Sequence, residues 1–189
     1  MVTSTPPRRQ PAEVRREQIL DAAERVLLTN GYAATTVADV ADAAGLAKGT
    51  VYLQFASKND LIAALRARYL ERFLAALGSR RKNAKNRLLD VVHGLFEFSV
   101  AHHELHHVLF LEAGFSEADA FAAARRTIVD IVRAGVEAGE FHVPDVEVAG
   151  VFILHGVHGA LVEAVHGHTS RPRFDKTVDA LVLRVLGTT

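Results

Sequence analysis

Cysteine is absent from the chain, which excludes disulfides and thiolate metal sites. An excess of one charge is lacking too, since 22 Lys and Arg balance 22 Asp and Glu. A zero total does not exclude a polyanionic partner, because the charges are unevenly placed. Residues 1–87 hold 15 Lys and Arg against 8 Asp and Glu, whereas residues 88–189 hold 7 against 14. Attraction to phosphate depends on local positive charge, so this asymmetry predicts a basic head and an acidic body. No apolar run reaches the roughly 20 residues that span a bilayer, and the N-terminal stretch through Gln18 is too polar for a secretory signal. The expectation is a soluble cytoplasmic protein with no membrane association. Pro6, Pro7 and Pro11 among polar neighbours predict a disordered arm over residues 1–12. The rest of the 189 residues suffice to bury a core.

What is present reads as helix, with no convincing strand. Ile19, Ala22, Ala23, Val26 and Leu27 share one face of a helix over 13–29 that Gly31 ends. Leu61, Leu65, Tyr69, Phe73 and Leu77 recur every four residues along a long helix over 58–78. Residues 79–87 are mostly basic and read as a joint. Further helices are expected at 87–101, 104–112, 117–138, 146–167 and 174–186. Gly114 and Ser116 break and cap the chain, Gly139 stops a helix, and Arg171-Pro172 makes a turn. The predicted fold is all-α, with about nine helices.

The most specific signal lies between Thr36 and Lys58. Counting Val37 as the first position of a unit, Ala41 is fifth, Gly45 ninth and Val51 fifteenth. The fifth must be small where two helices nearly touch. The ninth is a turn that needs positive φ, and the fifteenth plugs the second helix onto the first. Val37, Val40, Leu46 and Phe55 complete the apolar contacts, Thr36 is an N-cap, and Ser57 with Asp60 forms a cap for the next helix. This spacing predicts a helix-turn-helix, a device that lays its second helix in the major groove of DNA. A DNA-binding domain is therefore expected over 13–60. The reading helix opens with Lys48, Gly49, Thr50, Tyr52 and Leu53. Lys48 is placed to donate to guanine O6 and N7, Gly49 to let the backbone come close, and Thr50 to reach a phosphate or a base edge. Lys58 at a helix start and Thr36 are expected at phosphates, and Arg15 and Arg16 at flanking backbone.

Arg15 to Leu28, Gly31-Tyr32, Thr35-Thr36-Val37, Ala47-Lys48-Gly49-Thr50-Val51-Tyr52-Leu53-Gln54-Phe55 and Lys58-Asn59-Asp60-Leu61 together resemble the TetR family of transcriptional regulators. The likeness covers little more than the first quarter of the chain. It implies that Tyr52 hydrogen-bonds a phosphate, that residues 61–189 form an effector-binding and dimerisation domain, and that the protein is a dimeric repressor rather than an enzyme. Gly156, Ala160 and Ala164 lie four apart, and Val178, Leu181, Val182 and Val185 form a three-four repeat. Two such helices from each of two chains would make a four-helix bundle, so a homodimer through 146–167 and 174–186 is expected on a near-palindromic operator. The 58–78 helix, joining head to body, is the expected lever by which an effector shifts the population off DNA.

Ten histidines are unusual, and eight of them fall between His93 and His158. His102, His103, His106 and His107 leave open a metal- or pH-responsive regulator. His103-Glu104-Leu105-His106-His107 also satisfies the H-E-x-x-H pattern of zinc hydrolases, a remote alternative because histidine-dense stretches make such matches cheaply. No metal and no cofactor is assigned. With ten phenylalanines, no tryptophan and one methionine, the effector is expected to be apolar or aromatic. Phe96, His103, Phe110, Phe121, Phe152 and His155 are the expected pocket residues.

Overall fold

In the computed structural model, residues 11–77, 83–113, 121–165 and 170–188 are described. They form α1 (Ala12–Ala34), α2 (Val37–Ala44), α3 (Lys48–Tyr52), α4 (Lys58–Leu77), α5 (Ala84–Ala101), α6 (His103–His107), a π-helical turn (Val108–Glu112), α7 (Ala122–Glu137), α8 (Val146–Val165) and α9 (Arg171–Val185). The fold is all-α, and no strand occurs among the described residues. The expected arm falls largely at residues 1–10, and the expected stops at Gly114 and Ser116 likewise lie outside the described residues.

Two compact units emerge. One comprises residues 1–65 together with His107–Phe115, the other Arg66–His106 together with Ser116–Thr189. The division falls within α4, slightly beyond the expected boundary at residue 60.

In the first unit α1 packs on α2 and on the π-helical turn, and α2 packs on α3. Ile19, Leu20, Ala22, Ala23 and Leu27 of α1 are buried, as their spacing requires. At Gly31 the helical path breaks, with φ +74 and ψ 172, and Thr35 ties the break by donating to the Gly31 carbonyl at 2.7 Å. In the second unit α7 packs on α8, α8 on α9, and α5 on all three. Two glycines there are required from within. A Cβ on Gly135 would lie 2.1 Å from the Phe141 ring, and one on Gly150 would lie 2.6 Å from Val129.

Three boundaries differ from the sequence-based expectation for identifiable reasons. α5 begins at Ala84, inside the supposed joint. Asn83 accepts from Asn86 N–H at 2.9 Å, and the Glu140 carboxylate accepts from Ala84 and Lys85 N–H at 3.2 and 3.1 Å. α9 begins at Arg171 because Pro172 sits in the first turn, where its missing N–H is not needed. Residues 104–112 are not one α-helix but α6 followed by the π-helical turn. Val146–Ala164 is 19 residues long with mean hydropathy 1.4, enough by length and composition to cross a membrane. Within the second unit it packs on α5, α7 and α9.

Candidate nucleic-acid interface and effector wall

The head is built around two helix ends. At the start of α2 the Thr36 hydroxyl accepts from Asp39 N–H at 3.2 Å and donates to the Asp39 carboxylate at 2.7 Å, while Thr36 N–H donates back to that carboxylate at 2.8 Å. Hydrogen bonds from the Thr36 side chain, then its backbone, hold the Asp39 carboxyl below the usual range. The Thr36 hydroxyl is thus engaged as a cap beside an anion, a poor setting for the expected phosphate contact. At the end of α2, Gly45 adopts φ +66 and ψ 33, and Leu46 N–H reaches the Ala41 carbonyl at 2.9 Å. This is the left-handed closure glycine allows without steric conflict. Gln18 and Arg25 of α1 then donate to the last carbonyls of α2, Ala44 at 2.8 Å and Ala43 at 3.4 Å.

This frame fixes α3 with one face in and one face out. Val51 is fully buried and Phe55 is 4% exposed, with the Arg16 guanidinium 4.8 Å above the Phe55 ring. Lys48, Gly49, Tyr52 and Leu53 are all exposed, and Thr50 is half-buried. The Lys48 ammonium lies 5.8 Å from the Tyr52 ring centroid, so the two share one column of the outer face. Gly49 has no internal reason to be glycine, since a Cβ there would meet nothing within 4 Å. The outward set carries one cation, one phenol, one bare backbone and one apolar side chain.

Lys58, expected at a phosphate, also makes contacts within the head. Its ammonium donates to the Tyr32 carbonyl and lies 4.0 Å from the Tyr32 ring centroid. Burial pushes its pKa down. The four-carbon stem lies along Tyr32, so one donor of its ammonium links the start of α4 to the end of α1. Tyr32 is held from two further sides. Its hydroxyl donates to Asn59 at 3.2 Å, and its N–H donates to the Glu112 carboxylate of the π-helical turn at 2.9 Å. The Ser57–Asp60 cap of α4 is present, at 2.8 and 3.1 Å.

In the second unit the expected pocket residues do not gather. Phe96 packs against Phe174 at 4.7 Å under the Arg171 guanidinium, as part of the α5–α9 core. Phe110 is buried, but in the first unit, because the π-helical turn clusters with the head. His103 is exposed. Phe152 is 64% exposed and lines a surface depression with Val148, Pro144 and Val185, so it is not a wall of an internal cavity. Phe121 and His155 do meet, with ring centroids 6.0 Å apart.

What the structure groups instead is Tyr69, His106, His158 and Phe121. Tyr69 Oη lies 3.4 Å from His106 Nδ1, the His106 and His158 rings are 5.8 Å apart, and Phe121 stands edge-on to His158 at 5.0 Å. All four are buried. Burial raises the Tyr69 pKa to about 12, against a Ser99 hydrogen bond that lowers it. Burial, then the charge of His155, pushes His158 down to about 4. Tyr69 was visible in the sequence only as one of an apolar series. The His102/His106 spacing was visible, but not that it is His106 whose ring is buried.

Among the described residues no three His, Asp or Glu are placed to hold a metal ion. His103, Glu104 and His107 are exposed while His106 is buried, so the histidine run divides between two environments.

The His158 shift has a thermodynamic consequence. The unfolded imidazole, near its ordinary pKa, takes a proton before the folded one does. Stability from the neutral ring is therefore complete above about pH 6.5 and is lost as pH falls towards 4, a change of roughly 3 kcal/mol. Urea unfolding at pH 7.5 and pH 4.5 should show a larger loss in the wild type than in His158→Leu. Equal losses in the two proteins would contradict it.

A helix-turn-helix head with its second helix turned outward, followed by a helical unit with a polar patch in its interior, defines a ligand-responsive transcriptional regulator. Residues 19–65 match the bacterial regulatory proteins of the tetR family. The repressor KstR2 of Mycobacterium tuberculosis (strain H37Rv) is 30% identical over 150 residues, spanning 73% of this chain and 74% of the relative. The fatty acid metabolism regulator protein of Bacillus subtilis (strain 168) is 34% identical over 98 residues, half of each chain. Among solved structures, FadR from Bacillus subtilis in complex with stearoyl-CoA aligns over 92% of this chain and 98% of that one, with TM-score 0.67 and 23% identity. The R. erythropolis repressor QsdR aligns over 95% and 97%, with TM-score 0.70 and 18% identity. The chain belongs to the TetR family.

Proposed function

We propose that this regulator represses transcription from the cytoplasm as a homodimer on a near-palindromic operator, and that a small apolar or aromatic molecule releases it. The observation that carries the DNA reading is the division of α3, with Val51 sealed in and Lys48, Gly49, Tyr52 and Leu53 turned out. Lys48 reads a guanine and Tyr52 holds a phosphate, with Thr50 at a phosphate or base edge beside them. Support for dimerisation comes from α8 and α9. Val148, Phe152 and Leu181 are 65%, 64% and 57% exposed, and a Cβ on Gly156 or Gly159 would meet nothing within the chain. An apolar surface with bare backbone fits a second copy of the same helices. The effector is assigned to the buried cluster of Tyr69, His106, His158 and Phe121, mostly aromatic rings with a few polar atoms. A panel for release assays should include fatty acyl thioesters of coenzyme A, given the B. subtilis relatives, beside plain aromatics.

The test is operator binding by fluorescence anisotropy, using duplexes selected from a random pool. Lys48→Ala should cost about 1–3 kcal/mol per head and relax preference at one base pair, and Tyr52→Ala should weaken all sequences alike. Unchanged binding in both variants would refute the assignment of α3.

A further inference from the structure

We propose that Gly49 and Leu53 form a notch for the C5-methyl group of one thymine in each half-site, which makes Leu53 a specificity-determining residue. The proposal rests on α3 being the recognition helix. The outward residues of α3 and its C-cap stand in two columns, each spaced by four: Lys48 with Tyr52, and Gly49 with Leu53. The first column offers a cation and a phenol. The second offers no side-chain donor or acceptor. Leu53 is 84% exposed, far above the 44% of Tyr52 beside it. The fold does not need it, since Val51 and Phe55 already fill the interior. Its N–H bonds the Gly49 carbonyl at 3.1 Å, so both belong to one turn, and the space where a Gly49 Cβ would stand is open, with nothing within 4 Å.

A hydrocarbon side chain gains nothing from a phosphate, which would instead be desolvated by it. Among the groups that base pairs present in the major groove, the thymine methyl is the one bulky apolar group. The Gly49–Leu53 column therefore matches thymine, while the Lys48–Tyr52 column matches guanine and phosphate.

Deoxyuridine removes that methyl and nothing else. With the full-length protein and a selected operator, thymines are replaced by deoxyuridine one symmetric pair at a time. One pair should weaken wild-type binding about fourfold per half-site, or about sixteenfold for the dimer, as one buried methyl predicts. Leu53→Ala, at an exposed position, should fold normally by circular dichroism, bind the thymine duplex less well, and bind thymine and deoxyuridine duplexes equally. The proposal is overturned if the wild type binds the selected duplex yet tolerates every such replacement within twofold, or if Leu53→Ala keeps the preference. Failure to select any duplex would overturn the recognition-helix reading itself.

Discussion

Gly156→Glu is expected to leave each chain folded, separate the dimer, and lower operator affinity by a factor of about 10²–10⁴, the loss that follows when two linked binding events become independent. The glycines of this unit fall into two kinds. Gly135 and Gly150 are fixed from inside by Phe141 and Val129, which a methyl group would strike. Gly156 and Gly159 sit on the exposed side of α8 at ordinary helical angles, with open space where a Cβ would go. An interior helix position normally favours any ordinary residue over glycine by up to about 1 kcal/mol. Glycine at these positions therefore disfavours the isolated chain. It makes sense where another helix backbone approaches closely. Phe152 and Val148 flank the site, and Val185 of α9 borders the same depression, so the apolar surface is continuous across both helices. Sedimentation velocity and operator titration on the same sample check the result. A dimer of unchanged affinity would remove α8 from the interface.

Gly49→Ala should move stability and function in opposite directions. Alanine at this helical position should stabilise the head by roughly 0.5–1 kcal/mol, because nothing in the chain opposes the new methyl. Operator binding should fall by about 1–3 kcal/mol for each of two heads, because the methyl occupies the space where the duplex comes closest. Thermal melting and anisotropy titration measure the two signs. A variant that melts higher and binds as before would show that the duplex does not approach α3 at this point. One that melts lower would show a packing role not visible in the native contacts.

The head was legible from sequence because its geometry is fixed by residue size and backbone permissiveness at short range. Ala41 is buried between helices, Gly45 takes the left-handed turn, and Val51 is sealed, each where the spacing put it. Direction was harder to read. Periodicity says that Phe152 lies on an apolar stripe but not whether a neighbour within the chain or another molecule covers that stripe. The charge of Lys58 says nothing about which way a flexible stem will turn, and Tyr32 captures it. Phe110 was assigned to the body by its place in the sequence, although packing joins it to the head. Pro172 read as a turn because a proline ends helices more often than it opens them, yet in a first turn it fits. The histidine run showed its density but not its division, since only burial distinguishes His106 from its neighbours.

The π-helical turn carries a consequence for biosynthesis. The head acquires two of its supports, the buried Val108–Phe110 edge against α1 and the Glu112 carboxylate on Tyr32 N–H, from a part of the chain translated long after α3. A nascent chain that has emerged only through α4 therefore has its DNA-reading residues complete but their footing unfinished. The head is fully supported only once Val108–Glu112 has emerged, late in translation.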